Sequence, residues 1–111
     1  MKSTFEIECV WIPHELGGRH ADPFNGMRAT LRWQRYVREY LEVSRDVECS
    51  DVRSEAGTMR GAATCRLVSD IPVPLEWLQD GSLVELLEGY HVIAVGRIKQ
   101  SVPIPTPRDD R

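Results

Sequence analysis

The chain has no run of about 18 apolar residues, so nothing in it reads as a membrane-spanning helix. Its start, Met1-Lys2-Ser3-Thr4-Phe5-Glu6, carries no apolar h-region, and no signal peptide is expected. Cysteine is scarce. Cys9, Cys49 and Cys65 are odd in number, far apart and form no C-x-x-C pair. They point to a reduced, cytoplasmic setting, with each thiol serving as a small buried hydrophobe. The phosphate loop G-x-x-x-x-G-K-[S/T] is absent, which excludes GTP binding of that kind. A nucleophile with an activating base is also missing. Cys65 and His91 are the only candidates and nothing places them together, so no enzyme is expected. His14, His20 and Asp22 fit no standard ligand spacing, and neither a metal nor a cofactor is expected. Between Leu67 and Gly96 there is no Lys or Arg.

What is present is an ordinary globular composition in 111 residues, enough for one domain with a modest core. The formal net charge of -3 argues against a general polyanion binder. Charge is unevenly spread. Arg19, Arg28, Arg32, Arg35, Arg38 and Arg45 crowd one stretch, while Asp70, Glu76, Asp80, Glu85 and Glu88 occupy the Lys- and Arg-free one. The two stretches make two faces of opposite sign, neighbouring strands with opposite charges paired across them, or simply a mixed solvated surface.

Alternation at period two marks the strands. Phe5, Ile7, Cys9 and Trp11 share one face, and Pro13 ends that ladder. Arg28 to Val37 alternates Ala29, Leu31 and Trp33 with polar residues. Thr30 to Val43 would also suit a helix, but the Trp, Tyr and Val content favours a strand. Tyr40 to Ser44 and Asp46 to Cys49 predict one strand region or two short strands. Asp51 to Gly61 is polar and glycine-containing, and predicts a loop. Ala62 to Val68 predicts a strand with Ala63, Cys65 and Leu67 inward. Pro74 to Leu78 predicts one helical turn with proline at its start. Leu83 to Leu87 and Tyr90 to Ile98 flank Glu88-Gly89 as a hairpin, in which Gly89 supplies a positive φ. Five to seven short strands with almost no helix predict an all-β sandwich or small barrel. Residues 1–100 form one domain on this reading, and the Pro-rich tail 101–111 is expected to be extended or disordered.

Leu16 to Arg28 packs three glycines, a proline, two arginines and a histidine into one connection. Loops of this kind on a rigid scaffold often carry function. Within it, Gly17-Gly18-Arg19-His20-x-x-Pro23-Phe24-x-Gly26-x-Arg28 resembles the Gly-Gly-Arg-His-Thr-Pro-Phe-Phe-x-Gly-Tyr-Arg signature of the third, C-terminal barrel of translation elongation factor Tu. The preceding strand, Phe5-Glu6-x-x-x-Val10-x-Ile12, and the hairpin Glu88-Gly89-Tyr90-His91-Val92-Ile93-Ala94-Val95-Gly96 are similar to that family's as well. The likeness spans about residues 4 to 98, with a weakly similar middle.

The resemblance implies an all-β fold, a six-stranded antiparallel Greek-key β-barrel standing without the family's GTPase domain and second barrel. It also implies a non-enzymatic binding module, for tRNA or a protein of the translation apparatus. Its site residues would be Arg19, His20, Arg28 and Gly89, on a loop scaffolded by Gly17, Gly18, Pro23 and Gly26. The alternative is a structural or protein-interaction barrel that has lost RNA binding. The two differ in what the arginines do. RNA binding expects Arg19, Arg28 and further arginines free on one exposed face. Protein binding expects Arg19 and Arg28 paired with carboxylates, with an apolar patch exposed elsewhere.

Overall fold

The computed structural model describes residues 4–19, 21–34, 44–55, 57–69, 71 and 73–99. Six strands make up the fold: β1 (Thr4–Trp11), β2 (Arg28–Trp33), β3 (Arg45–Ser54), β4 (Arg60–Leu67), β5 (Leu83–Glu88) and β6 (His91–Lys99). They close into an antiparallel barrel in the order β1-β4-β3-β2-β5-β6, with β6 returning to β1. The run β2-β3-β4 with β1 folded back beside β4 is a Greek key. Among the described residues, closure pairs every strand on both sides. Short 3-10 turns at His14–Leu16 and Leu75–Leu78 interrupt the connections.

Period-two alternation sets which side chains turn inward. Phe5, Ile7, Cys9 and Trp11 on β1, Ala29, Leu31 and Trp33 on β2, and Ala63, Cys65 and Leu67 on β4 are all buried. Trp33 is the largest fully buried side chain, and its Nε1 donates to the Trp77 carbonyl at 2.7 Å. Trp11 Nε1 likewise donates to the Arg53 carbonyl, at 3.1 Å. On β5 and β6 the period slips. A bulge between Leu86 and Leu87 leaves consecutive residues buried, Leu86 with Leu87 and Ile93 with Ala94, of which Leu86, Ile93 and Ala94 pack in the core.

One expectation is corrected. Asp51 to Gly61 was expected to be a loop, yet β3 runs to Ser54 and β4 begins at Arg60. The pairing shifts register between Ser50 and Arg53, and Asp51 takes a φ of 48°. That bulge breaks the alternation a sequence reading depends on, and the strand beyond it stands in solvent, which explains its polar composition. Asp46–Cys49 belongs to one continuous strand, β3. Tyr40 to Val43, the far part of the expected second strand and the tail 101–111 lie outside the described residues.

All three cysteines are buried and free. Cys49 and Cys65 face each other across β3 and β4. Burial pushes the Cys9 thiol up to about 12. Donation to Cys49, with burial behind it, holds Cys65 well above the ordinary thiol range. The folded chain therefore holds thiol protons that the unfolded chain releases near pH 9. The contribution of the Cys9 and Cys65 thiols to stability is expected to be constant below that pH. It should fall as pH rises from about 9 toward 12, by up to about 1.4 kcal/mol per unit for each such thiol. Urea unfolding between pH 7 and 11 measures this, and Cys9→Ala should flatten the alkaline limb. An unchanged limb in Cys9→Ala would count against the burial argument.

Candidate functional site

At one end of the barrel β1 leaves and β2 enters through residues 12–27, β3 turns into β4 through 55–59, and β5 turns into β6 through Gly89-Tyr90. The long connection is organised from its backbone. Ile12 still donates its N–H to the Ile93 carbonyl at 2.9 Å, Pro13 follows it out of the strand, and the His14–Leu16 turn ends on Gly17, whose φ is 97° and whose N–H donates to the His14 carbonyl at 2.9 Å. Gly18 serves a different purpose. Its N–H reaches the Pro13 carbonyl at 3.0 Å, and a Cβ there would lie 1.8 Å from the Ile12 carbonyl oxygen. The loop crosses its own entry at that point, and only glycine fits.

The crossing aims Arg19 back into the loop. Its Nη1 donates to the carbonyls of Ala21 at 3.1 Å and Asp22 at 2.8 Å, and its Nε to Glu88 Oε2 at 2.9 Å. The guanidinium also sits 5.0 Å from the centre of the Phe24 ring. Arg19 thus ties the loop to the last residue of β5, beside the Gly89 turn, where φ is 63°. Further on, the Asn25 side chain accepts from the Val52 N–H at 2.8 Å. Gly26, at φ 93°, donates to the Cys49 carbonyl at 2.6 Å, and Met27 is buried. Pro23 is half-buried.

The structure therefore brings Arg19, Pro23, Phe24 and Gly89 to one end. Arg28 stands at the start of β2, where the long connection ends, exposed and in register with Glu48, which binds Arg66. His20 lies outside the described residues. Elsewhere the arginines face carboxylates across the strands: Arg32 with Glu85, Arg66 with Glu48, Arg53 with Glu6, and both Arg97 and Lys99 with Glu8. Lys99 and Arg97 hold Glu8 below the usual carboxylate range. Between the basic and acidic stretches, Arg32 pairs with Glu85 across β2 and β5 and Arg19 meets Glu88 from the loop, while Arg35, Arg38 and Asp70 lie outside the described residues. Exposed pairs of this kind add little to stability, because water and salt screen them. Arg28 and Arg60 are exposed and bind no carboxylate among the described residues.

Two features of this end had no clear signal in the sequence. Glu88, the acceptor for Arg19, is 69 residues away. Leu16, Phe24, Met59 and Tyr90 are all exposed, Tyr90 almost completely at 99 %, and together they represent all three connections at this end. No cluster of three or more metal-ligating side chains occurs among the described residues. Cys65 is buried on β4, whereas His91 is exposed at the opposite end of β6, beside the Tyr90 turn. No family model and no curated protein matches the chain.

Proposed function

We propose that this chain is a non-enzymatic binding module, a relative of the C-terminal barrel of elongation factor Tu, that docks a protein partner through the barrel end built from residues 12–27, 55–59 and 89–90. The resemblance of Gly17 to Arg28 supports the ancestry and a partner in the translation apparatus. The observation that carries the choice of a protein over RNA is the state of Arg19. Its Nε and Nη1 donate to Glu88 and to two loop carbonyls, so it braces the loop. The exposed Leu16, Phe24, Met59 and Tyr90 around it are the kind of apolar display that marks contact surfaces.

A photo-crosslinking amino acid at Tyr90 or Phe24 is expected to capture one discrete protein in cells. The same group at Ile71, exposed at the opposite end, should not. Equal capture from both ends, or none from Tyr90 and Phe24, would sink this reading. As a brace, Arg19→Gln should lower stability by about 1.5–3 kcal/mol, the range for hydrogen bonds to a charged group. Glu88→Gln should cost less, and the double variant less than the sum. Chemical unfolding of the four proteins tests the coupling.

A second reading, tRNA binding, is favoured by Arg28 and Arg60. Both are exposed with no carboxylate among the described residues, as contacts to a phosphate backbone require.

A further inference from the structure

A cleft of about 360 Å³ opens between the first half of the 12–27 loop and the β3–β4 turn. We infer that this cleft receives a large apolar side chain carried by a cationic segment of the protein partner. The inference rests on the docking reading above and names its anchor point. Trp11, Ile12, Pro23 and Met59 give the cleft apolar walls. Met59 is half-exposed at the mouth, and methionine adapts to irregular partners better than a branched side chain does. Anchors of this type, one large side chain in a desolvated pocket, dominate protein interfaces.

Charge at the mouth decides the flanking chemistry. Glu15 and Asp22 line the cleft and are exposed, and neither carboxylate has an ion pair among the described residues. The arginine on the wall, Arg19, is already matched by Glu88. The mouth therefore offers unmatched negative charge beside an apolar floor. It attracts lysine or arginine next to the anchoring side chain and repels phosphate.

The test uses isotope-labelled full-length protein and three probes: the blocked tripeptide acetyl-Arg-Phe-Arg-amide, its counterpart acetyl-Glu-Phe-Glu-amide, and a short oligouridine. The readouts are the NMR signals of the Trp11 indole N–H, held on the Arg53 carbonyl, and the Met59 methyl. The cationic peptide is expected to shift both signals saturably. The acidic peptide should bind about five- to tenfold more weakly, and Glu15→Gln with Asp22→Asn should remove most of that difference. Those two exposed substitutions should leave the melting temperature unchanged. Equal binding of both peptides, or shifts at the cleft from oligouridine alone, would overturn the inference. Shifts confined to Phe24 and Tyr90 would overturn the cleft while leaving the docking end standing. Loss of the docking end itself is read separately, from the Tyr90 crosslink.

Discussion

Trp33→Ala is expected to remove about 3–5 kcal/mol of stability, a large part of the roughly 5–15 kcal/mol that a domain of this size holds. The indole is 1 % exposed and is the largest fully buried side chain. Its loss leaves a cavity that a closed barrel fills poorly, because strands paired on both sides cannot collapse inward. Two further contacts go with it. The Trp77 carbonyl loses its donor, and the Trp77 ring loses a partner 5.1 Å away. Trp77 in turn lies 5.5 Å under the Arg45 guanidinium, so the disturbance reaches the surface. Trp33→Phe keeps most of the volume and loses the hydrogen bond, and should cost about 1–3 kcal/mol. Urea unfolding followed by circular dichroism should show a lower midpoint at unchanged slope. A cost for Trp33→Ala below that of Trp33→Phe would mean the core is not built around this residue.

The adjacent glycines should behave differently. At Gly17 a Cβ meets nothing within 4 Å, and the only obstacle is a φ of 97°. Gly17→Ala should therefore cost about 1–2 kcal/mol of left-handed strain. At Gly18 a Cβ would lie 1.8 Å from the Ile12 carbonyl oxygen and 2.6 Å from its carbon. Those atoms are backbone and cannot rotate away. Gly18→Ala should force the loop off its crossing and destabilise the chain by about 3 kcal/mol or more, beyond ordinary overpacking. It should also release Arg19 from Glu88 and abolish crosslinking from Phe24, while Gly17→Ala keeps both. Thermal unfolding and the crosslink yield of the two variants test this. Equal effects would mean that the glycine pair serves only as a flexible hinge.

Much of the barrel was legible because alternation is a direct image of a two-sided sheet. Phe5 to Trp11, Ala29 to Trp33 and Ala63 to Leu67 all turn inward as their spacing dictates. The hairpin around Gly89 and the 3-10 turn after Pro74 were legible from turn chemistry. The arm of β3 beyond Ser50 was not. A bulge there resets the register, and its polar residues look like a loop in one dimension. The site was legible only as a stretch. Gly17, Gly18 and Gly26 announce special backbone, but which glycine needs φ and which needs space depends on a chain crossing. The basic and acidic segments left pairing as one of several arrangements, and the structure shows it where Arg19 meets Glu88 and Arg32 meets Glu85. Which arginine finds which carboxylate is set by the β2–β5 register and the loop's path, and no local pattern encodes either.

The most direct test of the protein-docking reading is fluorescence anisotropy with labelled tRNA, at low and at physiological salt. Wild type, Arg19→Gln, and Arg28→Ala with Arg60→Ala should be measured side by side. The expected result is no saturable binding at physiological salt for any of them, and at low salt only weak association that Arg19→Gln leaves unchanged. Micromolar binding that falls steeply with salt and disappears in the Arg28 and Arg60 double variant would contradict it. The barrel end would then be an RNA surface, and the exposed Phe24 and Tyr90 would need a role against bases or sugars.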